Sequence, residues 1–144
     1  MITRVLGLTG SIGTGKSTVA RMCRRIDVPV HDADACVKEL LTSCHQVRDR
    51  IAQAFPDTIE EGLINRKKLA QHVFYNADDL KMLEQILHPL VNQSHHSFIK
   101  HHQDLHTSII VLDIPLLFEK KYNVLCDKVI VTVCDWHIQR RRVL

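Results

Sequence analysis

Aromatic residues are scarce: one Trp, two Tyr and four Phe among 144 residues, or 5%. None alternates with the basic clusters Arg24-Arg25, Arg66-Lys67-Lys68 and Arg140-Arg141-Arg142. That argues against a nucleic-acid surface, where stacking rings accompany the charge. Net charge is only +3, and an anionic small substrate accounts for it equally well. Cysteine pairs are missing too. Cys23, Cys36, Cys44, Cys126 and Cys134 are an odd set with no C-x-x-C, which points to free thiols in a reducing compartment. No apolar run approaches the ~20 residues of a membrane span. The opening V-L-G-L is too short for a signal peptide and runs straight into a glycine loop. A cytoplasmic chain with small-molecule partners, no nucleic acid and no membrane is expected. Repeats and low-complexity segments are absent, and 45% hydrophobic with 24% charged residues suits one core carrying a small insertion.

What is present is concentrated near the start. Residues 3–25, T-R-V-L-G-L-T-G-S-I-G-T-G-K-S-T-V-A-R-M-C-R-R, read as a short apolar strand, a glycine turn and a helix. Gly10, Gly15, Lys16 and Ser17 satisfy G-x4-G-K-[ST], the phosphate-binding P-loop. Its main-chain N–H groups form a nest for an anion, and the helix beginning near Gly15 adds its positive end. Lys16 supplies a full charge for the β- and γ-phosphates, and Ser17 offers a hydroxyl to Mg2+. A nucleoside triphosphate is the expected ligand, held by Gly10, Ser11, Ile12, Gly13, Thr14, Gly15, Lys16, Ser17 and Thr18.

Beyond the first helix, Val28, Pro29 and Val30 suggest a short strand opening into His31-Asp32-Ala33-Asp34. Ligands of open α/β sheets sit outside the carboxyl ends of the strands, so Asp32 and Asp34 are candidate catalytic acids. Either is also good capping chemistry for the helix that follows. Residues 33–107 are mostly helical by pattern: Val37, Leu40 and Leu41 share one face, and Val47, Ile51 and Phe55 the next. Glu60-Glu61-Gly62 marks a turn, and Asn65 can cap a helix carrying Leu69, Val73 and Phe74. A longer helix starts at Asp78 or Asp79, and Pro89 predicts a kink or a fresh start near His88. This insert is long for a simple crossover and suits an acceptor-binding subdomain. Residues 108–113, S-I-I-V-L-D, form a buried parallel strand ending in Asp113, placed to hold Mg2+ or its water. Residues 128–133 are the last strand, and Trp136 opens another helix.

Ten histidines are many for this length. His88, His95 and His102 are spaced by seven and would share a helix face, with His106 beyond. A solvated face is the expectation, and no metal is assigned to it.

Several segments together resemble the dephospho-coenzyme A kinase family. The match is carried by G-L-T-G-S-I-G-T-G-K-S-T (7–18), H-D-A-D (31–34), I-N-R-K-K-L-A-Q-H-V-F (64–74), L-E-Q-I-L-H-P-L-V (83–91) and D-I-P-L-L-F-E (113–119). The P-loop belongs to a very large superfamily; the other segments, in this order, are far more selective. The resemblance implies an α/β fold: a P-loop kinase core (1–32 and 108–144) with a parallel β-sheet flanked by helices, and a helical acceptor subdomain (33–107). It implies ATP-dependent phosphorylation of the ribose 3′-hydroxyl of dephospho-coenzyme A, with Mg2+. A monomer is the expectation for the working form. Asp34 would accept the hydroxyl proton beside Asp32, with Lys16 on the phosphates. Arg66, His88, Pro89, Asp113 and Leu116 would serve the acceptor, with Ser17 and Asp113 on the metal. Gln139 and Arg142 match the start of the family's Q-x-x-R lid helix.

Family members continue past this point with a second lid arginine, the rest of the lid and a last strand and helix. Weak ATP affinity and poor turnover are therefore expected of the 144 residues alone. Two other readings stay open: another small-molecule P-loop kinase, or a nucleotide-binding fragment without catalysis. The first would not call for H-P-L-V or D-I-P-L-L-F-E. A GTPase switch lacks its N-K-x-D guanine-reading motif.

Overall fold

The computed structural model describes residues 2–143. They divide into two compact units, one comprising residues up to Ala33 together with those from His95 onward, the other Asp34–Ser94.

The first unit is an α/β core. It is built on β1 (Arg4–Gly10), β2 (Val30–Asp32), β5 (Ile109–Asp113) and β6 (Lys128–Thr132), in the order β2-β5-β1-β6. All three pairings are parallel. Leu8, Ile110, Val111 and Leu112 are fully buried, which explains the unbroken apolar runs of β1 and β5: strands covered on both faces have no polar side. Helix α1 (Lys16–Arg25) follows β1 and buries Ala20 against Leu8 and Val111, with Val19 and Cys23 packed alongside. Arg24 and Arg25 close its last turn, where cations suit the helix dipole. A second cluster packs Val5, Ile110, Leu112, Leu117 and Tyr122 with Phe98 and Ile99. Each such side chain contributes roughly 1.5–3 kcal/mol on burial, so these clusters fix the sheet that carries the site.

The register decides what stands at the carboxyl edge. Asp32 pairs with Asp113, Leu8 with Asp113, and Gly10 with Thr132. The strands therefore end side by side in Asp32, Asp113, Gly10 and Thr132, two acids beside the start of the glycine loop. Helix α6 (Trp136–Val143) follows β6.

The second unit is helical. It holds α2 (Ala33–Ser43, from its second residue), α3 (His45–Ala54), a small hairpin of β3 (Ile59–Glu60) and β4 (Leu63–Ile64), α4 (Arg66–Tyr75) and the first part of α5 (Ala77–Asp104). Its core is Val47, Ile51, Phe55, Leu69, Ile86, Leu87 and Val91 with Cys36. Asn65 caps α4 as expected, its side chain accepting from Lys67 N and Lys68 N at 3.1 and 3.2 Å.

One expectation is sharpened and three change. The turn at Glu61-Gly62 closes a two-stranded hairpin, with both residues at positive φ (51° and 76°), the two-residue geometry that matches strand twist. Helix α5 does not restart at Pro89; it runs on for 28 residues. Proline removes one hydrogen bond and crowds the carbonyl four residues back. Here that carbonyl belongs to Gln85, on an exposed stretch, while Ile86, Leu87 and Val91 anchor the helix on both sides of the defect. The helix starts at Ala77, one residue before the expected Asp78, because Asn76 caps it through bonds from Asp78 N and Asp79 N. The histidines do not form a solvated face. His88 is exposed, but His95 is fully buried against His31 and Tyr122 (ring centroids 5.0 and 4.8 Å apart), and His102 is half-buried. Histidines seven apart drift round a 3.6-residue helix, and α5 passes from one unit to the other between them.

Candidate active site

The loop from Ser11 to Gly15 leaves β1 and enters α1. Gly15 is the helix N-cap at φ 94°, a left-handed conformation that a side chain resists. Among the described residues no side chain caps this helix. Its first N–H groups are thus available to an anion, in line with the positive end of the helix. Lys16, Ser17 and Thr18 form the first turn, with Ser17 and Thr18 exposed.

Lys16 Nζ is ion-paired with Asp113 Oδ1. The two side chains are 17% and 7% exposed, so this is a largely desolvated pair, and removing either charge strands the other. The buried carboxylate ends β5; the ammonium reaches it from α1 across the parallel pair. Thr9 Oγ1 donates to Pro115 O at 2.7 Å, and Ile114 N donates to Leu8 O at 3.0 Å. These bonds fix the turn after Asp113 to β1. Leu116 is exposed on that turn. A cavity of about 490 Å3 opens beside the loop, lined among others by Ser11, Ile12, Leu116, Phe118, Val133 and Gln139.

Helix α6 closes over the loop from outside. Gln139 Nε2 donates to Ile12 O at 2.6 Å and Arg142 Nη1 to Gly13 O at 3.2 Å. The expected nucleotide-site residues Gly10–Thr18, with Lys16, Asp113, Leu116, Gln139 and Arg142, therefore converge in one unit. Asp32 belongs to that unit as well, one strand from Asp113. Asp34, Arg66, His88 and Pro89 lie in the helical unit: Asp34 exposed in the first turn of α2, Arg66 exposed as the first residue of α4, His88 and Pro89 exposed on α5.

Next to the acids sits His31. It stacks on Phe98 (centroids 4.9 Å apart), and its Nε2 is buried with no hydrogen-bond partner. Burial pushes its pKa below the ordinary value, with the Asp32 carboxylate opposing. Sequence reasoning missed Thr132. Its hydroxyl lies 2.7 Å from that of Thr14, a contact across 118 positions of chain that no local pattern announces.

As for metal, the donor set at this edge is a serine hydroxyl and a carboxylate, hard oxygens of the kind Mg2+ takes together with phosphate oxygens and water. Among the described residues no group of three His, Cys, Asp or Glu is arranged to hold an ion without them. Nor is any helix long and apolar enough to cross a membrane.

A P-loop nest at the carboxyl edge of a parallel sheet, with its lysine on a buried strand-end aspartate, defines a phosphotransferase core of the P-loop kinase class. Residues 4–144 match the family model for CoaE, dephospho-CoA kinase. The dephospho-CoA kinase of Paramagnetospirillum magneticum is 45% identical over 141 residues, 98% of this chain and 66% of that one. That of Mesorhizobium japonicum is 46% identical over 140 residues, 97% of this chain and 70% of the relative. The crystal structure of TT1252 from Thermus thermophilus superposes with a TM-score of 0.82 at 31% identity, covering 99% of this chain and 72% of that one. A dephospho-CoA kinase from Campylobacter jejuni shares the fold at a TM-score of 0.68 and 16% identity, over 98% of this chain and 94% of its own. The chain belongs to the dephospho-CoA kinase family. It spans about two thirds of the length of the curated relatives it matches.

Proposed function

We propose that the chain transfers the γ-phosphoryl group of ATP to the ribose 3′-hydroxyl of dephospho-coenzyme A, giving coenzyme A and ADP. The observation that carries this reading is Lys16 poised on Asp113 beside an uncapped helix start, within a chain matched to the family along almost its whole length.

Phosphoryl transfer asks the protein for positioning and charge neutralisation rather than for covalent chemistry. The N–H groups of Gly13–Thr18 would receive the triphosphate. As it enters, its β- and γ-oxygens compete with Asp113 for the Lys16 ammonium. Lys16 changes partner, and its charge follows the phosphoryl group through the in-line transition state. The exchange releases the Asp113 carboxylate. Mg2+ would be held by the Ser17 hydroxyl and Asp113 and would supply charge neutralisation for the triphosphate. Asp34 would take the proton of the 3′-hydroxyl as the new P–O bond forms, with Asp32 supporting the same edge. Arg66, His88, Pro89 and Leu116 would contact the acceptor. Gln139 and Arg142 would stand at the start of the lid that keeps water from taking the phosphoryl group. The partners on this reading are small molecules and the working form is a monomer. Five free cysteines agree with a reducing cytoplasmic address.

The test is acceptor-dependent ADP release, measured with ATP, Mg2+ and in turn dephospho-coenzyme A, nucleoside monophosphates and shikimate. Only dephospho-coenzyme A is expected to support release, and Lys16→Ala to abolish it. Release with a different acceptor would move the chain to another P-loop kinase activity. ATP binding without release for any acceptor would favour a nucleotide-binding module.

A further inference from the structure

Thr14, in the loop, donates its hydroxyl hydrogen to Ser11 O at 2.6 Å. With that proton committed, the 2.7 Å contact to Thr132 Oγ1 must be a bond donated by Thr132, since a hydroxyl carries one hydrogen. The alternative acceptor for Thr132, Thr9 O, is 3.4 Å away, too long to compete. The next two loop carbonyls are also engaged by the segment from β6 into α6. Ile12 O accepts from Gln139 Nε2 at 2.6 Å, and Gly13 O accepts from Cys134 Sγ at 3.3 Å and Arg142 Nη1 at 3.2 Å. Three consecutive carbonyls, those of Ser11, Ile12 and Gly13, are thus satisfied by side chains. The fit is close. Opposite Thr132 in the ladder stands Gly10, where a methyl group would overlap the Thr132 hydroxyl and stand 2.8 Å from Thr14 Oγ1.

From this arrangement we propose that Thr132 and Gln139 are positioning residues. They hold the P-loop by its carbonyl side, so that its N–H groups are set for a triphosphate before one arrives. A peptide unit is planar, so pinning a carbonyl oxygen also fixes the N–H of the next residue, pointing the opposite way. Engaging Ser11 O, Ile12 O and Gly13 O therefore orients the N–H groups of Ile12 and Gly13 for the ligand, while that of Thr14 donates to Ser11 O at 3.3 Å. A nest assembled in advance spares the ligand the cost of ordering the loop. Thr132 and Gln139 touch no phosphate in this scheme and act through Thr14 and Ile12. The inference rests on the reading of this loop as a triphosphate site, but the preordering itself is a property of the free protein.

The experiment compares wild type, Thr132→Ala, Thr132→Ser and Gln139→Met. Residue-resolved amide exchange of Ser11–Gly15 in the free protein reads the clamp, and titration with metal-free ATP reads its consequence. The sheet amides of Leu8 and Ile110–Leu112 report whether the fold itself has been disturbed. Thr132→Ala and Gln139→Met are each expected to speed loop exchange and to weaken ATP about three- to tenfold, the size of one neutral hydrogen bond. Sheet exchange stays unchanged and Thr132→Ser restores both readouts. In turnover, KM for ATP rises while KM for the acceptor holds. Should Thr132→Ala disturb the sheet, Gln139→Met, on a helix without buried residues, decides alone. Loop exchange that is unaltered in Gln139→Met, or that Thr132→Ser fails to restore, overturns the proposal. Faster loop exchange in a chain whose wild type binds no ATP upholds the clamp and instead sinks the triphosphate reading.

Discussion

Replacing Asp113 by Asn should strengthen the binding of metal-free ATP. In the free protein the Lys16 ammonium is held by the Asp113 carboxylate, and both side chains are largely removed from water. A triphosphate reaching the nest must draw Lys16 off that partner, so the ion pair in the free state is a direct deduction from affinity. A hydrogen bond to a charged group is worth about 1.5–3 kcal/mol net. Lys16 keeps 17% of its side-chain exposure and can still donate to an Asn carbonyl, which places the loss near the lower end, about 1.5 kcal/mol. That is roughly a tenfold lower Kd. The assay is calorimetric titration with ATP in EDTA. Removing a negative charge near the phosphates also favours binding, so Asp32→Asn is the control. It lies one strand over, deletes the same charge without breaking the Lys16–Asp113 pair, and should give a smaller gain. With only a neutral acceptor left, the largely buried Lys16 ammonium loses its countercharge, so the free Asp113→Asn protein should also lose about 2 kcal/mol of stability, below the ~3–5 kcal/mol of pairs left with no partner at all. With Mg2+ and acceptor present the same variant should turn over far more slowly. Metal-free affinity that is unchanged or weaker in Asp113→Asn would refute the partner exchange.

Asp34→Asn should leave ATP affinity nearly intact and lower kcat by ~10²-fold or more, as loss of a general base does; full activity would remove Asp34 from that role. His31 adds an acid-sensitive element. Burial lowers its folded pKa below 6.5, so the unfolded chain takes up the proton more readily and stability falls as pH drops through 6.5 towards the folded value. Thermal melts at pH 7.5, 6.5 and 5.5 should show a smaller acid loss for His31→Phe than for wild type. Taking the difference between the two proteins cancels His72, whose pKa is raised by Asp57 and whose contribution has the opposite sign. Burial, aided by the neighbouring Asp127, pushes the Cys126 thiol up to about 11. Native alkylation at pH 8 followed by peptide mass analysis should therefore modify Cys126 more slowly than the other half-buried thiols, Cys23, Cys44 and Cys134; labelling of Cys126 as fast as theirs would contradict the shift.

What the sequence announced was what local chemistry decides. The glycine loop, the apolar strand before it and the amphipathic helix after it lie within 22 consecutive residues, Arg4–Arg25, and each constrains the next. Asn65 could be read as a cap because a cap reaches only two or three residues. Asp113 could be placed at a strand end because the run Ile109–Asp113 is uniformly apolar until its last residue. The misreadings are of two other kinds. At Pro89, local propensity lost to packing: Ile86, Leu87 and Val91 are buried in one core, and that outweighs a missing hydrogen bond. At His95, spacing along a helix could not reveal that His31 and Tyr122 close over it. The hold of Thr132 and Gln139 on the loop was invisible for the same reason. Register between β1 and β6 brings Gly10 opposite Thr132, and register is a property of the sheet rather than of either strand.

The most direct test of the proposed reaction is phosphorus NMR of a mixture of the protein, ATP, Mg2+ and dephospho-coenzyme A, followed over time. The account predicts a new phosphomonoester resonance at the ribose 3′-position, growing in step with ADP and lost in Lys16→Ala. ADP appearing with inorganic phosphate alone, or with a phosphomonoester at any other position, would contradict it.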